Sequence, residues 1–219
     1  PAEAFPPIDL LLITHDHYDH LDYVTFRRLY PQVKHILTPL GVGSHLEYWG
    51  ADRKKITELD WWESYKPAAN IRFTATPSRH FSGRSLKRGK TLWSSFVLET
   101  GKERLFLGGD SGYDRQFEKI GEQFGPFDIA ILDCAQYGDN WPYIHMKPEQ
   151  TVQAALDLKA KTLLPVHWAK FALSLHPWTE PVDRIIEAAG KTRLKVITPQ
   201  IGEYWSLTDP TETKTWWKQ

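Results

Sequence analysis

Cysteine is almost missing from this chain. Cys134 is the only one in 219 residues, so no disulfide can form within it and thiol–disulfide chemistry has no second partner. A lone thiol leaves the redox compartment open and leans toward the cytoplasm. Net charge is missing too, since 27 Lys and Arg offset 27 Asp and Glu. That argues against the long basic face that nucleic-acid binding needs, and no nucleic-acid partner is expected. No run reaches the roughly 18 apolar residues of a membrane-crossing helix. Pro1–Pro7 has no basic start followed by an apolar run and does not read as a signal peptide. There is no internal repeat, long linker or low-complexity tract, so one domain over 1–219 is expected.

What is present is an ordinary globular balance of 41% hydrophobic and 25% charged residues. Ile8–Ile13, Val33–Leu37, Lys54–Leu59, Ile71–Ala75, Thr91–Glu99, Glu103–Leu107, Phe127–Cys134, Thr162–Val166, Leu194–Thr198 and Glu203–Leu207 read as strands. Helices are expected over Leu21–Tyr30, Arg115–Phe124, Lys147–Leu158 and Glu180–Ala189, with a short one to Trp49 that Ser44 caps. The turn around Gly101 marks a hairpin. Strands and helices alternate at both ends, which predicts an α/β fold with helices outside a sheet layer. Ten tryptophans are many for this length. The pairs Trp61-Trp62 and Trp216-Trp217 resist joint burial on a strand and suggest a membrane-facing or subunit-facing patch.

The chemistry concentrates in His15-x-His17-x-Asp19-His20, directly after the first apolar strand. Imidazole and carboxylate together suit zinc, iron or manganese. Asp16 and Asp22 stand close enough to orient an imidazole N–H. Three later polar residues also follow strands, namely His80, Asp110 and His167, and α/β folds collect their sites at such strand ends. A bridging carboxylate such as Asp110 could join two cations. His145 precedes the helix opened by Lys147-Pro148-Glu149, where it either meets substrate or bonds to backbone. Tyr18 and Tyr113 either line the pocket or, by default, are aromatic core or wall residues, and Cys134 reads as core. The basic stretch Arg79–Lys90 either meets an anionic substrate or is a solvated loop.

The pattern H-x-H-x-D-H resembles the metallo-β-lactamase superfamily. The strings THDHYDHLD, GGDSGY, HMKPEQ and PVHWAKF resemble its branch containing N-acylphosphatidylethanolamine-hydrolysing phospholipase D and its bacterial relatives. The resemblance implies a metallo-β-lactamase-like αβ/βα sandwich. It implies that His15, His17 and His80 hold one metal, that Asp19, His20 and His167 hold a second, and that Asp110 bridges. Two Zn2+ are implied, with iron or manganese as substitutes. In that family the ligand loop follows several strands, whereas here it begins near the N-terminus and the chain opens without methionine. The expectation is therefore an N-terminally truncated domain lacking part of its first β-layer, with pairing to another subunit as one compensation.

The activity implied is hydrolysis by a hydroxide held on two zinc ions, with Asp19 able to take a proton and His145 near the leaving group. Two divalent cations outweigh Asp19, Asp110 and the hydroxide, so the site favours an anionic group such as a phosphodiester. A phosphodiesterase acting on a phospholipid-like substrate, peripheral to a membrane, is the leading expectation. Hydrolysis of a carboxylic ester, lactone or amide is the alternative within enzymes. A metal-stabilised binding protein without catalysis is the alternative outside them.

Overall fold

Ten strands and five α-helices carry the chain in the computed structural model, which describes residues 2–84, 86–170, 173–208 and 213–218. In order they are β1 (Ile8–Leu12), α1 (Tyr23–Leu29), β2 (Val33–Pro39), α2 (Gly43–Tyr48), β3 (Ile56–Leu59), β4 (Ser64–Ala68), β5 (Ile71–Thr76), β6 (Ser95–Glu99), β7 (Arg104–Leu107), α3 (Gln116–Phe124), β8 (Ile129–Asp133), α4 (Pro148–Asp157), β9 (Thr162–Val166), α5 (Glu180–Ala189) and β10 (Lys195–Val196).

They form two sheets. The first is parallel, in the order β1-β2-β3. The second runs β10-β9-β8-β7-β6-β5-β4, parallel from β10 to β7 and antiparallel from β7 to β4. Side-chain alternation sorts the residues into layers. Leu10, Leu12 and Leu37 of the first sheet meet Phe73, Ala75 and Phe96 of the second between the sheets. Leu11 and its partner Ile36 turn the other way, toward Phe26 of α1 and Leu46 of α2. Val97, Phe106, Ala130 and Leu163 turn outward against Phe117 and Ile120 of α3, Ala154 and Ala155 of α4 and Ile185 of α5. The result is the expected αβ/βα sandwich. Parallel strands covered on both faces explain the apolar runs 10–12 of β1 and 129–132 of β8. Each fully buried Phe or Leu stabilises this arrangement by about 1.5–3 kcal/mol.

Some local expectations change. The first helix starts at Tyr23 rather than Leu21, because Asp22 accepts the Thr25 N–H at 2.7 Å and caps it. Ser44 lies inside α2 and its hydroxyl bonds back to the Gly41 carbonyl at 2.7 Å, so it is no cap. Strand β6 begins at Ser95 and not at Thr91. Glu203–Leu207 is coil ending in a bend, not a strand. Strand β4 is a sheet-edge segment whose Lys66 and Pro67 hid it, as edge strands tolerate residues that interior ones exclude. The pair Trp216-Trp217 makes no exposed patch. It sits in a 3-10 turn that sets the two rings at 89°, and both pack against Trp168. Cys134 is buried, and burial pushes its thiol pKa well up, as suits an inert core residue. Among the described residues no helix is long and apolar enough to cross a membrane.

Candidate metal centre

Strands β1, β7, β8 and β9 run parallel within their sheets, and β5 is parallel to β7 across the antiparallel β6. In the second sheet the carboxyl ends of β5, β7, β8 and β9 therefore reach the same edge. Past β1 the chain leaves regular structure and then turns, with Leu21 N donating to the His17 carbonyl at 2.7 Å. That turn separates His15 and His17 from Asp19 and His20. Past β7, Gly109 has φ 61°, and a Cβ there would stand 2.9 Å from Thr14 Cβ. Only glycine lets the Asp110 loop lie this close to the histidine loop. His167 leaves β9 at φ 68°, a strained backbone for a residue that is not glycine and a hallmark of functional positions.

The seven expected ligands come together. Donor atoms of His15, His17, His80 and Asp110 lie within 4.8 Å of one another, and so do those of Asp19, His20 and His167. Asp110 Oδ2 stands between the groups. It lies 3.7 Å from both His15 Nε2 and His80 Nε2, 3.1 Å from His20 Nε2 and 3.6 Å from His167 Nε2. One oxygen facing four imidazoles is the disposition expected of a bridging carboxylate. Asp19 Oδ2 lies 3.3 Å from His167 Nε2 and 3.6 Å from His20 Nε2.

The donor set fits divalent cations on two further observations. First, His15 Nε2 and His20 Nε2 are buried and have no hydrogen-bond partner. Buried polar atoms are otherwise nearly always paired. His80 Nδ1 donates to the Ile144 carbonyl at 3.1 Å, which leaves the Nε2 lone pair free, facing His17 Nδ1 at 3.1 Å. Second, the protonation pattern suits a cation. Burial pushes His15 well down, His80 to about 3 and His17 down as well, so all three offer neutral nitrogens. Burial also opposes a proton on His167, but the bond it donates to Asp19 and the charges of Asp110 and Asp133 outweigh it and raise that ring to about 9. The bond to His167 in turn holds Asp19 at about 2. Burial disfavours charge on Asp110, yet His20, His167 and His15 around it hold its carboxyl well below the usual range. The carboxylates thus call for positive charge, which a proton on His167 supplies in part.

The supporting residues differ from expectation. Asp16 orients no clustered imidazole. Its Oδ1 accepts from Gly83 N at 2.8 Å, and its Oδ2 lies 3.5 Å from His45 Nε2, which ties the histidine loop to the loop carrying His80. Asp22 is the helix cap described above. Of the basic stretch, Arg84 covers Tyr18 at 4.2 Å and Trp49 at 4.8 Å and donates to the carbonyls of Asp16 and Leu21. Arg79 covers Tyr143 at 4.0 Å. Both are struts. Tyr113 donates to Asp157 at 2.6 Å beneath α4, away from any substrate role. His145 bonds to a side chain rather than to backbone: its Nδ1 lies 3.2 Å from Asp133 Oδ2. Its ring stacks on His167 with centroids 5.1 Å apart. Asp133, the last residue of β8, went unnoticed because an acid closing an apolar strand reads as an ordinary surface exit.

A family model described as a beta-lactamase superfamily domain matches residues 1–168. The chain belongs to the metallo-β-lactamase superfamily. Within known proteins it is 42% identical to an uncharacterized protein of Mycobacterium tuberculosis, over 98% of this chain and 59% of that one. It is 34% identical to the mitochondrial N-acyl-phosphatidylethanolamine-hydrolyzing phospholipase D of Saccharomyces cerevisiae, over 90% of this chain and 44% of that one. The chain thus spans about half the length of these relatives. Among solved structures, the isothiocyanate hydrolase from Delia radicum gut bacteria has the same fold, with a TM-score of 0.71 at 19% identity over 91% of this chain and 77% of that one. Family and clustered donors together make this a superfamily domain with a candidate metal centre.

Proposed function

We propose that this domain is a two-zinc phosphodiesterase acting on a phospholipid-like substrate. The observation that carries the reading is an apolar cavity of about 310 Å³ that opens on Asp19, His20 and His167. Leu164, Pro165, Val166, Trp168, Ile201 and Trp216 line it. An acyl chain bound there would bring its head group beside the clustered carboxylates and imidazoles. The yeast relative's name points the same way.

His15, His17 and His80 would hold one zinc, Asp19, His20 and His167 the other, and Asp110 both. When bound, the ions supply Lewis acidity and make water a nucleophile near neutral pH. Asp19, the most exposed of the clustered carboxylates, is the group that accepts a proton as water reacts. His145 meets the substrate on the side of His167 and His80. The protein works in the cytoplasm at a membrane surface, as a self-associating chain with no nucleic-acid partner.

The test is a panel on zinc-loaded protein with its metal content measured: phosphodiesters with and without acyl chains, lactones, carboxylic esters and β-lactams. The expected result is hydrolysis of the phosphodiesters, with kcat/KM rising with acyl length. Turnover confined to lactones or esters would overturn it.

A further inference from the structure

Strand β8 ends on a carboxylate that packing alone gives no reason to bury. Asp133 has 0% of its surface exposed. Its Oδ1 has no hydrogen-bond partner, and its Oδ2 meets His145 Nδ1. Removing a carboxylate from water is costly unless its partners restore the lost hydration, and one bond does so incompletely. Its neighbours Ile131 and Leu132 are apolar, so an aliphatic side chain would satisfy the core here at less cost. Local rules are broken in this way where function requires it.

The carboxylate sits on a rigid element. Strand β8 pairs with β9 in register, Asp133 opposite Val166, and the Thr151 hydroxyl donates to the Asp133 carbonyl at 2.9 Å. His145, by contrast, lies in a loop, with its ring between His167 and His80 at centroid distances of 5.1 and 5.3 Å. One of its nitrogens lies within 4.8 Å of donor atoms of Asp110 and His167. An ionised carboxylate can only accept, so Nδ1 carries the hydrogen of this bond and Nε2 is the ring nitrogen left over.

We infer that Asp133 is a positioning residue, which accepts the Nδ1 hydrogen of His145 and so fixes that ring's tautomer and plane with Nε2 left to meet the substrate. This rests on the proposed placing of His145 in the reaction site. It adds a residue outside the superfamily's ligand pattern, anchored in the sheet rather than in the loops.

The experiment uses the full chain loaded with zinc and bis(p-nitrophenyl) phosphate as probe. Asp133→Leu removes the acceptor, whereas Asp133→Asn keeps one. In the leucine variant kcat is expected to fall about 10–100-fold, the usual effect of losing a partner that orients a site imidazole, with KM and zinc content unchanged. The asparagine variant is expected to recover part of that loss. Proton NMR gives a second readout independent of turnover. The His145 N–H resonance, identified by its loss in His145→Gln, should vanish in Asp133→Leu and persist at a shifted position in Asp133→Asn. Unchanged kcat in both Asp133 variants, or a His145 resonance that survives Asp133→Leu unaltered, overturns the inference. If the unsubstituted protein fails to cleave the phosphodiester, the proposed function falls instead, and the resonance alone decides the positioning.

Discussion

The two halves of the metal centre are built on opposite principles. Around His15, His80 and Asp110 the side chains are 1–3% exposed, and burial keeps the imidazoles neutral. Around Asp19, His20 and His167 they are 13–26% exposed, and the carboxylates keep His167 protonated until a cation replaces the proton. The closed half is organised in advance of any ion. The open half borders the apolar cavity and is held by charge. On the proposed function, affinity belongs to the first and substrate access to the second.

The comparison breaks most severely at His17. In His17→Ala we expect turnover to fall to background and one equivalent of zinc to be lost, read by metal analysis and the substrate panel. Full activity with both equivalents retained would remove the closed half from the mechanism. Asp16→Ala leaves every clustered donor in place but cuts the tie between the histidine loop and Gly83. Leaving that partly buried N–H without its carboxylate should lower stability by about 1 kcal/mol in denaturant titration. Zinc affinity should fall about 10–100-fold, and an affinity unchanged by calorimetry would count against pre-organisation.

The open half is sharpened by Ile201→Asp at the cavity mouth, where the side chain is exposed and the fold should not suffer. KM for a long-chain phosphodiester is expected to rise about 10-fold, as the loss of a buried aliphatic contact implies, while a small soluble phosphodiester is cleaved as before. Equal loss on both substrates would separate the cavity from acyl binding.

The smallest effect lies remote from the centre, where Arg184 joins Glu149 of α4 to Glu180 of α5 at 2.7 and 2.9 Å. The bond from Arg184 lowers Glu149. Glu180 is lowered by Tyr137 first and by Arg184 as well. Both acids are depressed in the folded state, so their stabilisation is complete above the ordinary value of 4.5 and fades as pH falls through the lowered folded values. At this exposure it should amount to about 0.2–1 kcal/mol. Arg184→Met should flatten that part of the acid-unfolding curve and leave zinc stoichiometry alone. A curve that keeps its slope would show that the pair contributes nothing.

Much of this was legible in the chain. The histidine segment stands out because four donors crowd one strand exit, and the strand runs stand out because both sheet faces are covered. What stayed hidden depends on contacts distant in sequence. Asp16 looks like an imidazole's partner until the fold brings Gly83 to it across 67 residues. Arg79 and Arg84 look free until Tyr143 and Tyr18 lie beneath them. Asp133 has no local signature, since its meaning lies in the ring that faces it. Strand β4 escaped because an edge strand need not be apolar, and Glu203–Leu207 misled because apolar content alone does not find a strand a neighbour.

The fold also makes the metal centre a clasp. His15, His17, Asp19 and His20 follow the first sheet, while His80, Asp110 and His167 follow strands of the second, so each group of donors draws on both sheets. Ions held there would pin the layers together at the rim of the core of Leu37, Phe73 and Phe96. Zinc affinity is then part of the cohesion between the sheets, and chelation should lower the melting temperature of the sandwich as a whole.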